Sequence, residues 1–310
     1  MASHSAARGF APADTALLVT LALMWGCSFL FIKVALDGVT PLWIVVGRTG
    51  VGAVVLLVVL HLRGRRLSRA RALWIHLLVL GILSNAVPWA AVAWAQQAIP
   101  SGLAALLLAV VPSSTLIVSA VIGLERITLI RAIGLLLALA GVGATVAADL
   151  EDPGRVVAIV TIIGATLLYA CGAVYAKRNV SGINAPLVIA TGQVLTAFAV
   201  ALPAALLLEP VPRPAELTVP VVGAVIALGV FGTGLAFLLF YMLIARVGAT
   251  NTTMVTYLIP IVAVVAGAVV LGERLGLAAL AGGVLIGLGI WLAQRGTRPS
   301  AIEQLEELHT

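Results

Sequence analysis

The chain has 310 residues, 62% of them hydrophobic and only 10% charged, with a mean hydropathy of +1.18. That composition excludes the two soluble domains the length would allow and describes a polytopic membrane protein. The net charge of +6 does not point to nucleic acid, because the basic residues are spread by topology instead of forming one patch.

Crossing the hydrocarbon core takes roughly 20 apolar residues, and ten runs of about that length follow one another. The first five are Thr15 to Leu36, Pro41 to Leu62, Trp74 to Ala95, Gly102 to Leu124 and Thr128 to Ala148. The second five are Val156 to Ala176, Pro186 to Leu208, Val221 to Ala245, Ala249 to Gly272 and Leu275 to Ala293. With the N-terminus inside, the inner segments hold Arg8, Arg63, Arg65, Arg66, Arg69, Arg71, Arg126, Arg131, Lys177, Arg178, Arg246, Arg295 and Arg298. The outer ones hold only Lys33, Arg155, Arg213 and Arg274. Thirteen against four is the positive-inside bias, so both termini are expected in the cytoplasm. The first run is too long for a signal-peptide core and lacks a small-residue exit, so it stays as helix one.

The second half repeats the first. A shift of 148 carries Pro112 onto Pro260, Glu125-Arg126 onto Glu273-Arg274, Gly134 onto Gly282 and Gly141 onto Gly289. Earlier in each half, Trp25, Cys27 and Lys33 fall on Tyr169, Cys171 and Lys177, and Pro41 and Gly47 fall on Pro186 and Gly192. An odd number of helices per copy makes the copies insert in opposite senses, so the fold class is an all-α membrane protein of two inverted five-helix repeats. Such duplication is a signature of transporters. The expected division is an N-terminal tail 1–14, repeat one 15–148, an external loop 149–155, repeat two 156–293 and a C-terminal tail 294–310.

Several side chains stand out against the aliphatic background. Pro112 and Pro260 interrupt helices four and nine about ten residues in, freeing the carbonyls of Leu108 and Thr256 for other partners, as helix break or harmless kink. On helix three, Asn85 and Trp89 share a face, and helix eight carries Thr233 and Phe237 at the equivalent positions with Tyr241 beside them. Helix one adds Trp25 and Ser28, helix six Tyr169, and helix nine Thr256 and Tyr257. Together they sketch an aromatic-walled cavity with hydroxyl and amide groups, suited to a neutral or zwitterionic solute with an apolar part. Arg48 is the one charge well inside a helix, and its repeat twin is Gln193. It either contacts a substrate anion or holds a loop carbonyl by reaching outward.

Both repeats carry the mid-helix proline and the Glu-Arg pair before a Gly-rich last helix. With Trp25-Gly26-Cys27-Ser28-Phe29 and Arg48, these features resemble the drug/metabolite transporter superfamily, and within it the EamA-type ten-helix permeases. The resemblance runs from about Thr15 to Ala293. It implies helices one, three, four, six, eight and nine around a central cavity, with two, five, seven and ten outside. It also implies export or exchange of small metabolites such as amino acids across the inner membrane, with flipping of amphipathic, drug-like or lipid-linked solutes as the alternative. The expected mechanism is alternating access, in which the halves rock about a site near Pro112 and Pro260. Glycines Gly134, Gly141, Gly282, Gly283, Gly287 and Gly289 would let helices five and ten pack closely. No carboxylate sits mid-helix, which argues against a proton-driven cation pump. His4, His61, His76 and His309 are scattered, so neither an enzyme, a metal site nor a cofactor is expected. The partners expected are the solute and membrane lipid, not nucleic acid, and internal duplication makes a monomer sufficient.

Overall fold

The computed structural model describes residues 11–148, 151–180 and 185–295. Most of the expected tails, 1–14 and 294–310, therefore lies outside the described residues, as do Arg8, Arg298, His4, His309 and positions 149–150 of the connecting loop. Among the described residues there is no strand. The chain forms ten spans: α1 Pro12–Ala35, α2 Pro41–Leu62, α3 Arg71–Ala95, α4 Ser101–Val121, α5 Leu129–Ala148, α6 Pro153–Asn179, α7 Pro186–Leu208, α8 Val219–Gly248, α9 Val255–Leu271 and α10 Leu277–Arg295. Each apart from α9 has at least 18 apolar-rich residues, enough to cross a bilayer. Their outward faces are greasy: Leu136 is 66% exposed, Val269 79% and Leu277 86%, surface that only lipid can cover at low cost.

Several spans begin with proline, which has no N–H to leave free, or behind a carboxylate that accepts the first N–H groups. Pro153 opens α6 behind Asp152, whose Oδ1 accepts the Gly154 and Arg155 N–H groups at 3.0 and 3.2 Å. Two spans are capped from a different helix. Glu209, at the end of α7, accepts the Leu42 N–H at 2.9 Å and the Thr40 hydroxyl at the start of α2. Glu273, just beyond α9, accepts the Ser101 N–H at 2.9 Å and the Ser101 hydroxyl at 2.8 Å at the start of α4. A left-handed Gly272, φ +66°, ends α9 and turns the chain so that Glu273 reaches across.

The packing is that of two copies related by a twofold axis. α1 packs on α8 and α9, and its twin α6 packs on α3 and α4. α2 lies against its own twin α7, and α5 against its own twin α10. A Cβ added at Gly134 would come 2.5 Å from the Gly289 carbonyl, and one at Gly141 would come 2.5 Å from that of Gly282. Numbers rise along α5 as they fall along α10, so the twins are antiparallel and the repeats inverted. Gly283 instead faces Leu106 of α4, and nothing lies within 4 Å of a Cβ at Gly287. Only four of the six expected glycines therefore make the α5/α10 contact.

The two proline-containing spans differ. α4 is interrupted at Ala109–Val110, just before Pro112, as expected. In the second repeat, Pro260 lies inside continuous helix, and the interruption falls at Thr253–Met254, one turn earlier. The expected helix from Ala249 is interrupted near its start: a positive-φ Gly248 (+83°) ends α8, residues 249–252 form one helical turn, and after the break at Thr253–Met254 the helix resumes as α9 at Val255. A local 3₁₀ pattern, Thr256 N–H to the Thr253 carbonyl at 3.0 Å and Tyr257 N–H to that of Met254 at 3.2 Å, holds the bend there.

Candidate functional site

Both α3 and α8 contain one wide turn of π-helix, at Ile82–Ala86 and Val230–Leu235. They start 148 residues apart, so they are twins. A π turn adds a residue to the helical repeat and re-aims the side chains around it, and such turns concentrate at functional sites. Here they carry Asn85 and Thr233, both fully buried.

Each π turn is met by the peripheral helix of the other repeat. Arg48 of α2 donates through Nε to Thr233 Oγ1 and through Nη2 to the Gly232 carbonyl, both at 3.3 Å. Its twin Gln193 of α7 donates through Nε2 to Asn85 Oδ1, a short bond. Small residues let the backbones approach. A Cβ on Gly232 would come 2.5 Å from Ser28 Oγ of α1, and one on Gly172 of α6 would come 2.1 Å from Ser84 Oγ of α3. Serine and glycine have exchanged helices between the two copies of the same junction.

The Arg48 guanidinium lies 3.7 Å from the centre of the Trp89 ring, a cation–π contact. Tyr169 lies close to the Trp89 side chain and the Arg48 charge, and Tyr169 and Phe237 pack on the cluster around Trp89. Arg48 itself is 5% exposed, and among the described residues no carboxylate pairs with it; the ion pairs are Arg131–Glu125, Arg155–Asp152 and Arg246–Asp14. The Asn85 Nδ2 amide is buried without a partner. The arrangement is a buried, donor-rich, positively charged cluster walled by aromatics, built from α2, α3, α6 and α8.

The sequence-selected residues thus divide. Arg48, Asn85, Trp89, Tyr169, Thr233 and Phe237 come together, with Ser28 against Gly232. Trp25 and Tyr241 belong to an aromatic chain leading from Phe237: Phe237–Tyr241 centroids are 6.4 Å apart, Phe240–Tyr241 5.4 Å and Trp25–Phe240 5.4 Å. Thr256 and Tyr257 are not brought to the cluster. The Thr256 hydroxyl bonds the Thr253 carbonyl, and the Tyr257 hydroxyl donates to Gln294 Oε1 of α10 at 2.6 Å. The early bend of α9 is the reason, since it fixes the rotation of the turn that carries both. Pro112 and Pro260 also stand apart from the Arg48 cluster. Downstream of Pro112, however, Ser114 bonds Thr166 of α6 at 2.8 Å and the buried Ser113 hydroxyl has no partner. Isolated hydroxyls in apolar helices carry no sequence signal, because most bond their own preceding turn.

A cleft of ≈ 470 Å³ adjoins this region, lined by Leu56, Arg63, Arg65, Pro186, Leu187, Phe237, Leu238, Tyr241 and Met242 among others. Phe237 therefore separates the Arg48 cluster from a side opening between α2, α7 and α8, rimmed by two arginines. Among the described residues no group of three His, Cys, Asp or Glu is placed to hold a metal ion.

Residues 15–147 and 156–294 each match the EamA-like transporter family. A protein named uncharacterized inner membrane transporter YedA, from Escherichia coli K12, is 30% identical over 83% of this chain and 83% of its own. The uncharacterized transporter YvbV of Bacillus subtilis is 28% identical over 89% of this chain and 90% of its own. A probable terminal-alkyne amino-acid exporter of Streptantibioticus cattleyicolor is also 28% identical, over 90% and 93%. One solved crystal structure superposes with a TM-score of 0.64 at 21% identity, covering 91% of this chain and 98% of that one, a likeness of fold alone.

Proposed function

The chain belongs to the EamA-like transporter family, and from that premise we propose that it exports or exchanges small neutral or zwitterionic metabolites, amino acids or their relatives, by alternating access. It does so in the cell's inner membrane with both termini cytoplasmic, the orientation favoured by the thirteen-to-four arginine and lysine asymmetry. The observation that carries the proposal is the buried cluster in which α2, α3, α6 and α8 converge on Arg48, Trp89, Asn85 and Thr233. It combines aromatic walls, amide and hydroxyl groups and one unneutralised cation, a lining for a small solute with a polar head and an apolar tail. An amino-acid class is also supported by the name of the Streptantibioticus relative, a probable terminal-alkyne amino-acid exporter. Transport needs no proton relay, since among the described residues the one acid inside a span is Asp14, in the first turn of α1 and paired with Arg246 at 2.6 Å.

Proteoliposomes loaded with labelled amino acid and placed in unlabelled amino acid decide the matter. Exchange is expected without a pH gradient. A strict requirement for the gradient together with block by a carbodiimide would sink the proposal.

The side cleft favours one second reading. An apolar slot opening between α2, α7 and α8 and rimmed by Arg63 and Arg65 fits an anionic amphiphile entering from the bilayer, so a flippase for amphipathic solutes is the alternative. Vesicles carrying a fluorescent anionic lipid separate the two, since only a flippase makes the inner-leaflet label accessible to an external quencher.

A further inference from the structure

Resting on the exporter reading, we infer that Arg48 binds the carboxylate of the transported solute, so that the substrates are amino acids and kindred apolar carboxylates, not solutes that lack a carboxylate. A buried cation in a membrane span is costly unless a counter-charge accompanies it, and among the described residues none pairs with Arg48. Its two hydrogen bonds, both 3.3 Å, go to neutral oxygens and are long for a guanidinium donor. Nη1 donates to no protein group among the described residues.

The second repeat shows that the charge is not there for the junction. At the twin position Gln193 ties α7 to the π turn of α3 with a neutral amide. A glutamine thus suffices where the task is only to join helices, and the arginine must answer to something else. Trp89 holds the guanidinium carbon 3.7 Å from its ring centre, and Nη1, which no protein acceptor takes up among the described residues, is left to grip a carboxylate oxygen. Asn85, one turn before Trp89 on the same face of α3, adds a buried amide donor without an acceptor. The cluster has donors to spare and lacks acceptors, the deficit a carboxylate fills. The aromatic chain through Phe237 and Tyr241 would then receive the apolar side chain.

The test uses the full-length protein in proteoliposomes, with exchange driven by L-leucine and L-phenylalanine, by their amides and by the corresponding acids lacking the amine. Wild type should take the amino acids and the deaminated acids, with half-saturation for the amides at least about tenfold higher, because a site built for an oxygen pair rejects the analogue that lacks it. Arg48→Gln should erase the preference for acid over amide, and Arg48→Lys should keep it at lower affinity. Equal use of acid and amide by wild type, or an undiminished preference in Arg48→Gln, overturns the assignment while leaving transport in place. Silence of the wild type toward all six compounds overturns the exporter reading along with it. Wild-type selectivity and Arg48→Lys keep the test decisive if Arg48→Gln proves unstable.

Discussion

A single glycine decides whether α5 and α10 can touch. A Cβ at Gly289 would meet the Ala138 nitrogen and the Gly134 carbonyl at 2.5 Å, backbone atoms that cannot swing aside, whereas a Cβ at Gly287, two residues earlier on the same helix, meets nothing within 4 Å. Lipid offers little hydrophobic drive between helices, so such close contact is much of what joins them. Gly289→Val should therefore cost about 1–3 kcal/mol as overpacking and lower the melting point in detergent. Gly287→Val should leave it unchanged. Intrinsic helix propensity would move both variants alike, so the contrast isolates packing. Arg48 was legible at this scale in part: its isolation in an apolar span marked it, but its partners could not be read, because Trp89 and Thr233 reach it only after three helices meet.

At the scale of elements, the ten spans and their inverted pairing could be read directly, since long apolar runs, prolines and Glu-Arg pairs recur in register. The π turns could not. A π turn is one extra residue in a helix and has no compositional mark, yet in α3 and α8 it sets which way Asn85 and Thr233 point relative to the rest of their helix. The bend of α9 was likewise misplaced by a turn, because proline fixes where a hydrogen bond is lost but not which neighbouring turn absorbs the strain. Deleting Leu83 should restore regular α-helix in α3 and rotate everything on one side of the deletion by about 100°. Asn85 and Trp89 would then lose their alignment with Gln193 and Arg48. Solute exchange should fall at least about tenfold while far-UV circular dichroism keeps its helical amplitude, and retained exchange would mean that the π turn is incidental to the site.

At the scale of the whole molecule, inversion gives each face the same set of ties, and the two faces use them differently. On the face away from the termini, Lys33 at the end of α1 donates to the carbonyls of Gln96 and, at 3.2 Å, Ile99, closing the end of α3, while Glu273 caps the start of α4. On the terminal face, among the described residues, Lys177 is exposed and bonds no carbonyl of α8, and Glu125 pairs with Arg131 of its own repeat at 3.0 Å. Inverted halves held in one shape would make both faces alike, so under the proposed alternating access this difference, with the unequal bends of α4 and α9, corresponds to a state closed on one side. On that reading the opposite state would follow by exchanging the roles of the twins, and Lys33 and Glu273 would be the latch whose release opens the far face. Replacing both by glutamine removes ties specific to the closed state without touching the Arg48 cluster. In a background with Cys27 and Cys171 replaced and a reporter Ser28→Cys, a membrane-impermeant maleimide added from the far side should label the double variant at least about fivefold faster, the size of shift expected for roughly 1 kcal/mol. The pair Lys177→Gln with Glu125→Gln should leave that rate unchanged, because those ties are already open. Equal labelling in all three proteins would show that the latch does not govern access, and that the asymmetry between the faces has another origin.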